Sequence, residues 1–105
     1  MIDLKQKELA KWHLRNFGIK TKKAEWQFIG LVEEVGEMAH AILKRKQGIR
    51  EVNHEDISDA FADIVIFGIQ IMTCEGRNVE DVLSRTISEV LQRDWKKYPV
   101  NGISK

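Results

Sequence analysis

Four carboxylates at two helical spacings are the residues of this chain whose types could do chemistry: Glu34 and Glu37, three apart, and Asp59 and Asp63, four apart. Residues three or four apart share one face of an α-helix, so each pair presents its acids on one side of its own helix. An all-oxygen set drawn from two neighbouring helices suits a hard cation, Mg²⁺ or in its place Mn²⁺. Magnesium in such a site keeps waters, completes its coordination with substrate phosphates and lowers the pKa of a bound water. A phosphoanhydride is the natural target. The sequence carries no glycine-rich phosphate loop, Ser-His-Asp set or Cys/His zinc spacing, so the cation would carry the catalysis.

The surroundings of the two pairs differ. Positions 30, 34, 37 and 41 fall on one side of a helix and hold Gly, Glu, Glu and Ala, which leaves the acids accessible. The opposite side carries Phe28, Leu31, Val32, Val35, Ala39, Ile42 and Leu43, a stripe expected to face the core. Glu33 is turned by about 100° from Glu34; its expected role is to orient the attacking water rather than to bind metal. Asp59 and Asp63 sit in a stretch, residues 57–72, that is apolar on almost every side. A carboxylate there needs a cation or a metal to offset its desolvation. Pairing with Arg77 or Arg85 is the alternative to metal binding, and Asp56 extends the same face by a turn.

Positioning these acids takes four helices. The first covers residues 3–17, with Leu4, Leu9, Trp12, His13 and Phe17 on its apolar side and Gly18 as its stop. Trp12 and Phe17 pack the core or a subunit contact, unless they reach the acidic face, where a ring could stack on a planar base. A basic connection with Lys20, Thr21, Lys22 and Lys23 leads to the second helix, residues 24–47. Its end, Lys44, Arg45 and Lys46 before Gly48, complements the helix dipole and lies within reach of a phosphate near Glu37 and His40. Asn53 is the expected N-cap of a third helix, residues 54–75, which Gly76 closes. Asn78 caps the fourth, whose stripe is Val79, Val82, Leu83, Ile87, Val90 and Leu91 and whose expected end is near Trp95. Arg93, Trp95 and Lys96 cluster there ahead of Pro99, and residues 99–105 are expected to form a loose tail. No strand pattern occurs, so the expected class is all-α.

A chain of 105 residues makes one domain with a modest core, which self-association would help. Seventeen basic and sixteen acidic residues nearly cancel, which argues against a nucleic-acid polymer or a membrane surface as partner. Cys74 is the single cysteine and is read as a buried thiol. The polar N-terminus and the lack of an uninterrupted apolar run of about 18 residues lead to the expectation of a cytoplasmic protein.

Leu31-Val32-Glu33-Glu34-Val35-Gly36-Glu37-Met38-Ala39, followed by Asp59-Ala60-Phe61-Ala62-Asp63-Ile64-Val65-Ile66-Phe67, resembles the MazG-like all-α nucleoside triphosphate pyrophosphohydrolases. The resemblance spans residues 26–98. It implies that Glu34 and Glu37 match the family's Glu-x-x-Glu helix and Asp63 the final acid of its second motif. It also implies cleavage of a nucleoside triphosphate to monophosphate and pyrophosphate, and a four-helix subunit that completes its bundle as a homodimer or homotetramer. The chain departs from the family at Ala60, where a Glu is usual; Asp59, one place earlier, is the candidate substitute. On this reading Glu34, Glu37, Asp59 and Asp63 hold Mg²⁺, Glu33, Glu34 and Glu37 are catalytic, and Lys44, Arg93, Trp95, Lys96 and Trp12 contact substrate. Two other classes stay open. One is a non-catalytic helical interaction module in which Ala60 marks a decayed site; the other is a di-iron carboxylate bundle using Glu37-x-x-His40.

Overall fold

The computed structural model describes residues 1–19, 22–49, 51 and 54–105, the side chain of His54 excepted. These residues form four helices and no strand: α1 (Ile2–Phe17), α2 (Ala24–Lys46), α3 (His54–Cys74) and α4 (Val79–Leu91). The all-α class stands. The expected cap at Asn53, and the Lys20 and Thr21 part of the basic connection, lie outside the described residues. Local signals place the other helix ends. At the end of α3, Gly76 takes φ 70°, and the Arg77 N–H reaches back to the Met72 carbonyl at 2.8 Å, the closing bond of a left-handed cap that glycine accepts without strain. Asn78 then starts α4, its side chain accepting from the Asp81 N–H at 2.9 Å.

Helices α2 and α3 form the main pair, and their pairings, Gly30 with Phe67 and Glu34 with Asp63, run antiparallel. Gly30 lies against Phe67, so close that a Cβ there would sit 2.3 to 2.9 Å from the ring. One turn further along α2, Glu34 meets the charge of Asp63, one turn back along α3. The face of α2 that packs inward is therefore Gln27, Gly30, Leu31, Glu34, Met38 and Ala41, all buried or half-buried. Phe28, Val32, Val35, Ala39, Ile42 and Leu43, expected to face the core, are exposed within one chain. The reason is steric: Gly30 lets the Phe67 ring approach the α2 backbone, so its smallness serves packing rather than an open face.

Polar bonds dock α1 across the junction of α3 and α4. Gln6, 8% exposed, donates from Nε2 to the Arg77 carbonyl at 2.9 Å and to Thr73 Oγ1 at 3.2 Å. Its Oε1 accepts from the Val79 N–H at 2.9 Å, so one side chain satisfies backbone groups that the end of α3 and the start of α4 leave open. Asn78 Nδ2 adds a bond to Asp3 at 2.7 Å.

Beyond that junction the chain is open. Its radius of gyration is 17.4 Å, against about 13 Å for a compact domain of this length. Its accessible surface is 8384 Å², where a folded monomer of this mass exposes roughly 6,100 Å². Among the described residues only Ile69 and Val79 are buried apolar side chains. Residues Glu55–Cys74 are long and apolar enough to cross a membrane by length and composition, with few of them fully buried within one chain. On α4, Leu83, Ile87, Val90 and Leu91 are exposed.

The C-terminal segment differs from its expectation. Helix α4 stops at Leu91 rather than near Trp95, and the residues expected to be a loose tail fold back. The Asp94 carboxylate accepts from the Lys96 and Lys97 N–H groups at 3.1 and 3.0 Å, and the Asp94 N–H donates to the Gly102 carbonyl at 2.8 Å. Gly102 is buried, seated against Trp95 and Arg93. An Asp at a turn captures free N–H groups where a helix would otherwise continue.

Candidate functional site

Helix α2 brings Glu33, Glu34 and Glu37 together, each with a carboxylate oxygen within 4.8 Å of the others'. The spacing of three places Glu37 over Glu34, and Glu33 reaches the group from the adjacent row. Glu34 is half-buried, whereas Glu33 and Glu37 are exposed. The Glu34 carboxyl is pushed above its ordinary range, first by loss of water on burial, then by the charge of Glu37 and the hydrogen bond to it, and by Asp63 and Glu33. The arrangement holds negative charge against itself, which a proton or a cation relieves.

Of the four acids predicted to bind metal, Glu34 and Glu37 are in this cluster and Asp63 faces Glu34 from α3. Asp59 is exposed and lies outside the cluster. The register of α2 and α3 puts Ala60 level with Glu37, so α3 offers no carboxylate at that height. Neither Arg77 nor Arg85 pairs with Asp59 or Asp63; among the described residues the ion pair within 4 Å is Lys5 with Glu8, at 3.2 Å. His40 is exposed and does not join the three acids.

Beside the acids opens a cavity of about 580 Å³, lined by Trp12, His13 and Phe17 of α1, Trp26, Gln27 and Glu34 of α2, and Asp63, Ile66, Phe67 and Gln70 of α3. That volume falls in the usual range of small-molecule sites. Glu34 and Asp63 stand level, Gly30 and Phe67 one turn on, and Gln27 and Gln70 a further turn on, so the cavity runs from carboxylates to amides. Trp12 meets Phe17 edge to face, with ring centroids 5.6 Å apart, and His13 stacks obliquely on the same ring at 5.3 Å. Gln70 ties the wall to α1 by donating from Nε2 to the Leu9 carbonyl at 3.1 Å.

Trp12, predicted to contact substrate, lines this cavity; Lys44, Arg93, Trp95 and Lys96 do not. Lys44 lies in the last turn of α2, its Nζ 3.4 Å from Gln47. Arg93, Trp95 and Lys96 belong to the folded segment after α4, a helix that packs on α1 and α3. Sequence reasoning missed Trp26, Gln27, Phe67 and Gln70 as wall residues. One signal was available: Gln70 is a polar residue between Ile69 and Ile71 in an apolar run, the same anomaly that drew attention to Asp63.

No protein-family model, curated protein or solved structure gives a significant match to this chain.

Proposed function

We propose that this chain is a Mg²⁺-dependent nucleoside triphosphate pyrophosphohydrolase of the MazG-like type, releasing monophosphate and pyrophosphate. The observation that carries the reading is a cluster of three glutamates within 4.8 Å of one another, one of which, Glu34, lines an aromatic cavity together with Asp63. The donors fit a hard cation: all are oxygens, none has a basic partner within 4 Å among the described residues, and the Glu34 carboxyl is pushed above its ordinary range by burial and by the acids around it. Glu34, Glu37 and Asp63 would hold Mg²⁺, with Asp59 assisting. Bound there, it would offset polyphosphate charge and acidify a water. Glu33 would take the proton of the attacking water or orient it. The aromatic wall would receive the base, and Lys44 the phosphates.

A second copy completes the bundle in this proposal. The surface in excess of a closed monomer, roughly 2,300 Å² per chain, is of the size that obligate subunit contacts remove. It is apolar along α2 and α4. Arg93, Trp95 and Lys96, remote from the cavity within one chain, would act across that contact. Sedimentation at micromolar concentration is expected to show a dimer or tetramer, and monomer alone would refute this part. For the chemistry, a panel of nucleoside triphosphates with Mg²⁺ should yield pyrophosphate. Orthophosphate, or no turnover with any base, would refute the hydrolase.

A further inference from the structure

The far end of the cavity holds a group that the acidic cluster does not use. Gln70 is 5% exposed and lines the cavity. Its bond to the Leu9 carbonyl decides which way round the amide sits, because a carbonyl accepts and only the NH₂ side can donate to it. Oε1 therefore points away from Leu9, and no donor among the described residues bonds it. That acceptor keeps an opening, since every fully enclosed polar side-chain atom among the described residues has a partner. Gln70 borders the cavity, and it is to the cavity that we assign this opening.

A buried acceptor beside aromatic rings selects a flat ligand with an N–H on its edge. Gln27, level with Gln70, and Glu34, level with Asp63, are separated by about 10 Å of helix, a nucleoside's length between base edge and first phosphate. We propose that Gln70 reads the edge of a nucleobase stacked on the wall of Trp12, Trp26 and Phe67, and so sets which bases the site accepts. The proposal rests on the nucleotide reading of the site. An amide offers Oε1 and a remaining N–H, which match a base edge with adjacent donor and acceptor. An ionised Glu in its place gives up the bond to the Leu9 carbonyl, offers acceptors only and matches the paired donors of guanine.

The test uses tryptophan fluorescence of the full chain without metal, titrated with adenosine, cytidine, uridine and guanosine, and with inorganic tripolyphosphate as control. At least one nucleoside should quench saturably and tripolyphosphate should not. Gln70→Met should weaken the tightest nucleoside about tenfold, and Gln70→Glu should move the preference toward guanosine. In the unchanged chain, the tightest nucleoside should bind about tenfold better than its analogue with the edge N–H removed or methylated; this comparison stands if the variants fail to fold. Absence of quenching by every nucleoside, as when a second copy fills the cavity, overturns the proposal. So does equal binding of the nucleoside and its analogue, or of wild type and a folded Gln70→Met. Nucleoside binding without pyrophosphate release from the matching triphosphate would keep the base subsite and refute the hydrolase. Release without nucleoside binding would do the reverse.

Discussion

The two halves of α3 are built to different standards of completion. Toward its C-terminus, Ile69 is buried, Gln70 and Thr73 are hydrogen-bonded, and Gln6 closes the junction with α4. Toward its N-terminus, Asp59, Phe61 and Asp63 are exposed, and Asp63 faces another carboxylate instead of a base. One half is closed by the chain's own contacts, the Gln70 acceptor excepted. The other carries repelling charge and uncovered apolar surface, which is what the proposed cation, substrate and second copy would relieve. The difference teaches that burial alone does not mark the candidate site; unbalanced polarity does.

Glu37→Gln should have the largest effect, because Glu37 stands on α2 beside the unfinished half of α3, where the proposed site lies. It keeps size and removes a charge from the cation's ligands, so pyrophosphate release should fall by about a hundredfold or more, while the melting temperature holds or rises as repulsion on Glu34 is relieved. Wild-type turnover in this variant would turn the reading toward the interaction module. Gln6→Ala strikes the finished half instead. It strands the Arg77 carbonyl and the Val79 N–H, and should cost about 2 kcal/mol or more in denaturant unfolding at fixed protein concentration. A change near zero would mean that water replaces the amide and that this end is looser than its bonds indicate.

Gly30→Ala probes the border between the halves. Its Cβ would drive Phe67 aside, with an expected loss of about 1–3 kcal/mol and a change in nucleoside affinity, since Phe67 lines the cavity. The smallest effect concerns pH. Glu34 holds its proton above the ordinary carboxylate range when folded, so between the ordinary and the raised value the folded state binds more protons than the unfolded state. Its contribution to stability is present at low pH and is lost as pH rises through the raised value. Thermal melts of metal-free protein across the acidic range should show this decline, and Glu34→Gln should remove it. An identical pH profile in the variant would assign the decline to other groups.

The ends of α1 and α3 and the start of α4 were legible in residues 18, 76 and 78, because caps are local: a glycine or an asparagine acts on the turn beside it. The meeting of Glu34 and Glu37 was legible for the same reason, since helical pitch alone brings residues three apart together. The end of α4 was not, because the Asp94 turn depends on Gly102 and Trp95 folding back against it. Tertiary structure decided which side of α2 meets α3. Periodicity says that an apolar stripe must be covered, but not by what, and the fit of Phe67 onto Gly30 gave the inner place to the row that holds Glu34. It also decided the aromatic cavity and the Gln6 clamp, whose partners come from distant parts of the chain. Such contacts leave no periodic trace; they exist only once three helices have been brought to the same place.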